Sequence, residues 1–66
     1  MHVQINGKAT EVEPGMMLAD FIAQKGLKPE AVVIEHNGTI LPRERWREVA
    51  LTSADQLQIV SFVGGG

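Results

Sequence analysis

Two Asn-Gly pairs, Asn6-Gly7 and Asn37-Gly38, constrain the fold of this chain more than any other feature. Each lies between short apolar stretches. Asn-Gly there is the strongest local signal for a two-residue type I′ hairpin loop, because both central positions need positive φ. A loop that tight sets the first register: Ile5 faces Lys8, Val3 faces Thr10, and Met1 faces Val12. Thr10 and Val12 then share a face with Val3 and Ile5 along a return strand over 8–13. A longer loop would turn Val12 outward, so the tight loop is the one that yields a single apolar face. In the second hairpin, residues 31–35 are β-branched and apolar on both faces, which predicts a strand with little solvent contact. Its return, 39–41, is stopped by Pro42, which cannot donate to a ladder.

Between the hairpins, Pro14-Gly15 ends the first, and Leu18, Phe21 and Ile22 recur at the spacing of one helical face. The spacing predicts a helix over 16–25. Its start carries no Ser, Thr, Asp or Asn, and Gly15 is a weaker cap. Its stop is clear: Gly26 suits the left-handed position after the helix, Leu27 can touch Ile22 as the apolar partner of a Schellman motif, and Pro29 prevents continuation. Residues 43–48 are charged and ambiguous between a turn of helix and a loop. Residues 49–51 return to the core and 52–55 form a polar turn. A last strand over 56–63 places Leu57, Ile59, Ser61 and Val63 on one side and Gln58, Val60 and Phe62 on the other.

The order hairpin, helix, hairpin, connector, strand predicts an α+β fold: a mixed sheet of four to five strands with one main helix across one face. The first and last strands pair in parallel at the centre, and the helix supplies the crossover between them. With 66 residues there is room for one domain, whose small core leaves stability marginal. No Cys is present, which excludes disulfides and thiolate metal sites and suits a reducing cytoplasm. The longest apolar runs, 16–19 and 31–34, are four residues each, too short to span a bilayer, so no membrane partner is expected. Residues 1–5 lack the charged-then-apolar pattern of a secretory signal. The net charge of −2 argues against a nucleic-acid partner, which needs a basic face.

Gly64, Gly65 and Gly66 follow the last strand directly. A segment without side chains can enter a channel too narrow for a Cβ and can bend where other residues cannot. Three residues reach at most about 10 Å beyond the domain. A terminal carboxylate on Gly66 would be ionised at neutral pH. Such a group can attack the α-phosphate of ATP to give an acyl-adenylate, which sulfur or nitrogen can then open. The expected organisation is therefore a domain over 1–63 and a flexible tail over 64–66 that leaves from a central strand. The plainer reading of three glycines is a frayed end.

The chain resembles, over its whole length, the ubiquitin-like β-grasp sulfur carriers, and within them the thiamine-biosynthesis branch. The residues that carry the resemblance are Asn6-Gly7 after a short first strand, Pro14-Gly15 then Leu18 at the helix start, residues 33–46 with Asn37-Gly38 ahead of Pro42, Arg43 and Trp46, and the ending 59–66. One position departs, Met17, where the family often has Thr. The resemblance implies a shuttle without an enzymatic site or bound cofactor of its own. An E1-like adenylyltransferase would use ATP to adenylate the Gly66 carboxylate, with Gly64 and Gly65 as the recognised tail. A cysteine-desulfurase-derived sulfur donor would replace AMP and leave a thiocarboxylate, and thiazole synthase would receive the sulfur. The same fold and ending also admit a carrier serving molybdopterin synthesis or tRNA thiolation, a protein modifier forming isopeptide bonds, and a β-grasp binding module with incidental glycines.

The other residues show no catalytic constellation. Ser53 and Ser61 lie in no motif. His2 and His36 read as solvent-facing strand residues, in preference to a metal site with Glu35. Trp46 reads as a packing residue. Val60 and Phe62, if Leu57 and Ile59 face the helix, lie on the open sheet face beside the tail, where an aliphatic-aromatic patch would serve partner docking. Arg43 and Arg45 either join that docking surface or are solvated charges balanced by Glu44 and Glu48.

Overall fold

In the computed structural model, which describes residues 1–62, both Asn-Gly pairs form the expected turns: Asn6 and Gly7 have φ of 51° and 83°, Asn37 and Gly38 of 52° and 89°. Strand β1 (His2–Ile5) pairs antiparallel with β2 (Lys8–Glu11) in the register of the tight loop, Ile5 against Lys8 and Val3 against Thr10. The return strand stops at Glu11, short of residue 13, yet Met1 and Val12 still exchange backbone hydrogen bonds of 3.0 and 2.8 Å. Val12 is thereby turned inward and buried.

Helix α1 (Leu18–Gln24) buries Leu18, Phe21 and Ile22. Its end follows the sequence closely. Gly26 has φ of 72°, its N–H donates to Ala23 O, and Leu27 N–H donates to Ile22 O, which is the Schellman pair. Its beginning corrects the sequence reading. The helix starts two residues later than expected, and Gly15 is not the cap. Met17 holds that position in extended backbone with no side-chain cap. Residues 16–17 instead pair with the 49–51 segment: Met17 bridges Ala50, Leu51 N–H donates to Met16 O at 2.8 Å, and Leu18 N–H donates to Val49 O at 2.8 Å. A distant carbonyl thus satisfies one of the four donors that a helix start leaves open.

A short 3-10 turn, Pro29–Ala31, delays β3 to Val32–His36. Strand β4 is Thr39–Leu41, and residues 43–48 resolve as a 3-10 helix, Arg43–Glu48, which buries Trp46. The Trp46 indole N–H donates to Leu41 O at 3.1 Å, as a packed tryptophan requires. Strand β5 (Gln56–Ser61) completes a five-stranded sheet of order β2-β1-β5-β3-β4, with β1 and β5 parallel and the other pairs antiparallel. The expected central parallel pair is present, and β2 and β4 take the edges.

Val3, Ile34 and Leu57 meet Leu18, Phe21, Ile22, Trp46 and Leu51 in one core on the helix side. The other sheet face is uncovered. Strand β3 therefore departs from expectation: Val32 and Ile34 are buried, but Val33 is half-buried and Glu35 exposed. No helix among the described residues is long and apolar enough to cross a membrane. The 63/64 domain boundary lies outside the described residues.

Candidate functional site

The geometry that bears on the glycine ending is the way β5 is held. Strand β5 runs between β1 and β3, so alternate residues turn their backbone groups to opposite neighbours. On the β3 side the pairing runs from His36–Leu57 to Val32–Ser61, and Phe62 N–H continues it by donating to Ala31 O at 2.6 Å. On the β1 side the ladder is short, Gln4 with Gln56 and Ile5 with Leu57, and Asn6 N–H adds a bond to Leu57 O at 2.8 Å. There β1 turns away. The Asn6 side chain then takes over: its Oδ1 accepts from Ile59 N–H at 2.8 Å and its Nδ2 donates to Ile59 O at 3.2 Å.

The second turn reaches the other end of the same strand. Asn37 N–H donates to Gln56 O and Asn37 Oδ1 accepts from Gln56 N–H, both at 2.8 Å. Its Nδ2 donates to Asp55 Oδ1 at 3.2 Å. Asp55 is 6% exposed and is the one buried charged residue among those described. Its Oδ2 accepts from Thr52 N–H at 2.8 Å, and His36 Nε2 lies 3.1 Å from Oδ1. Burial pulls the Asp55 carboxyl upward, but the Thr52 N–H, the Asn37 amide and the His36 ring together outweigh it and hold the group below its ordinary 3.8. This corrects His36: it is not a solvent-facing residue but a half-buried partner of Asp55 on the helix side of the sheet. The polar turn 52–55 appears in the sequence, but nothing local shows that its Asp is buried. His2 is exposed, as expected, 3.3 Å from Glu11.

Val60 and Phe62 project from the open face, 52% and 57% exposed, while Leu57 on the opposite side is 1% exposed. A third apolar residue joins them that the sequence reading did not single out. Ile40, 63% exposed, stands opposite Glu35 in β4 and so shares the open face with Val33, which is paired to Val60. Counting the two-residue loop outward from Asn37-Gly38 would have placed it there. Arg43 lines a shallow groove with Val33 and Ile40 at the edge of this patch. Arg45 is turned to Glu48, its Nε donating to Oε1 at 2.9 Å in an exposed pair. Gly64, Gly65 and Gly66 lie outside the described residues. Among those described, no group of three or more His, Cys, Asp or Glu residues is placed to hold a metal ion.

Comparison with known proteins matches this arrangement throughout. The ThiS family model matches residues 3–66. The sulfur carrier protein ThiS of Bacillus subtilis is 37% identical over 65 residues, covering 97% of this chain and 98% of that protein. A thiazole synthase of Magnetococcus marinus is 33% identical over 66 residues, and there the chain spans only 20% of the relative's length. The crystal structure of the thiamine biosynthesis protein ThiS from Geobacter metallireducens superposes with a TM-score of 0.80 at 29% identity, with both chains fully covered. The five-stranded mixed sheet with its single main helix is the β-grasp fold of these proteins, and the chain belongs to the ThiS family.

Proposed function

We propose that this chain is a sulfur carrier for thiazole formation in thiamine biosynthesis, acting through a C-terminal carboxylate on Gly66. The observation that carries the reading is the family match across 3–66, which includes the glycine ending. In this scheme a carboxylate oxygen of Gly66 attacks the α-phosphorus of ATP and pyrophosphate leaves. An E1-like adenylyltransferase binds the ATP and performs the step; the carrier itself binds no cofactor. The acyl-adenylate removes the charge and resonance that protect a free carboxylate, and AMP becomes the leaving group. The terminal sulfur of a cysteine-desulfurase-derived persulfide displaces AMP. A thiol then takes the donor's cysteine sulfur as a disulfide and leaves the thiocarboxylate on Gly66.

Thiazole synthase is the proposed acceptor. A segment similar to this chain occurs within proteins named thiazole synthase, which supports a working partnership between the two. Gly64 and Gly65 form the thin approach to the adenylation site, where a Cβ would obstruct the channel. Val60 and Phe62, with Arg43 and Arg45 beside them, form the surface that partners grip while the tail is handled. The scheme belongs in the reducing cytoplasm, where a thiocarboxylate is kept from oxidation.

The test is mass spectrometry of the protein after incubation with adenylyltransferase, ATP and sulfur donor. The expected product carries one sulfur in place of one oxygen at the terminal glycine. An unchanged mass with an active partner preparation would overturn the reading.

A further inference from the structure

The two turn asparagines do different work, although both bond β5. Asn37 acts where β5 begins, at Gln56. Asn6 acts at Ile59, three residues and about 10 Å further along the strand. Beyond Leu57, β1 offers no backbone partner, and the β3 side alone continues through Val60 and Phe62. The Asn6 carboxamide presents one donor and one acceptor side by side, as a strand residue does, and so replaces the missing ladder step.

We infer that Asn6 is a positioning residue for the glycine ending: its clamp on Ile59 extends two-sided support of β5 towards the tail and sets the direction in which the chain leaves the sheet. This role rests on the carrier reading above. A tail held in line loses less freedom when a partner threads it into a narrow channel, so the clamp acts on association and leaves the chemical step alone. The turn itself does not need the side chain. Glycine adopts positive φ at no steric cost, so Asn6→Gly keeps the hairpin and deletes only the clamp. Asn37→Gly makes the matching deletion at the far end of the strand.

The experiment compares Asn6→Gly, Asn6→Asp and Asn37→Gly by amide hydrogen exchange and by steady-state adenylation with an E1-like adenylyltransferase. In Asn6→Gly the Ile59 amide should exchange at least about tenfold faster while Val60, paired with Val33, keeps its protection, and KM for the carrier should rise about fivefold with kcat within about twofold. Asn6→Asp, which can still accept from Ile59 N–H but cannot donate to Ile59 O, should fall between. Asn37→Gly should leave KM within about twofold of the parent, since the start of β5 is remote from the tail. An unchanged KM in Asn6→Gly, or an equal rise in both glycine variants, would overturn the positioning role. If the parent chain is not adenylated at all, the carrier reading fails and the role fails with it. Loss of Ile59 protection in Asn6→Gly would still show that the clamp itself exists.

Discussion

The two faces of the sheet are built from the same five strands and treated in opposite ways. On the helix side, Val3, Ile34 and Leu57 are buried almost completely against Leu18 and Ile22. On the open side, Ile40, Val60 and Phe62 keep more than half their surface in water. Successive residues of a strand point to opposite faces, so Leu57 and Val60 belong to one short strand yet meet opposite fates. The difference separates two duties. In a chain of 66 residues the covered face must supply nearly all of the stabilising burial, because there is no second core. The open face spends apolar area without gaining stability, and a contiguous apolar patch kept in water marks an interaction surface.

That division can be broken first from the covered side. Leu57→Ala should destabilise the domain by about 3 kcal/mol through lost burial and the cavity left behind, enough to leave a domain this small largely unfolded. Urea denaturation monitored at Trp46 would read it. The next effect lies at the polar end of the same face. Asp55→Ala should cost about 2 kcal/mol, because the Thr52 N–H and the Asn37 amide lose their acceptor. The sign of the acid dependence follows from the lowered Asp55 carboxyl. Its stabilising contribution is complete above the unfolded value near 3.8 and disappears as pH falls through the lower folded value. Asp55→Asn should flatten that part of the acid unfolding curve, measured by circular dichroism from neutral pH downward. The smallest stability effect belongs to the open face. Phe62→Ala should change unfolding free energy by less than about 0.5 kcal/mol while raising the adenylyltransferase KM about tenfold. A large stability loss there would show that Phe62 belongs to the core, and an unchanged KM would remove it from the docking surface.

The parts legible in the sequence are those written in neighbouring residues. Asn-Gly sets the turn and, through a two-residue loop, the register on either side; Gly26, Leu27 and Pro29 announce the helix end within four residues. What failed depended on partners distant along the chain. The start of α1 has no local cap because Val49 O serves it from 31 positions later, and no pattern around Met17 encodes that. His36 sits at the correct place in its strand, but its exposure was decided by Asp55, 19 residues on. The open apolar patch was half legible: Val60 and Phe62 came from strand alternation alone, and Ile40 needed the same alternation carried through the second hairpin. The glycines announce their chemistry through residue type alone, since a bare backbone gives packing nothing to act on.

The placement of β5 between β1 and β3 has a consequence for synthesis. A nascent chain that has not yet emerged past residue 56 holds two unattached hairpins and no sheet to join them. Arrival of that single segment knits the halves together through contacts of long sequence separation, the slowest kind to form. The segment that closes the molecule also leads into the working end, so a ribosome-bound or incompletely folded molecule offers an activating enzyme no finished surface to grip. Maturity and readiness for loading are thus set by one event.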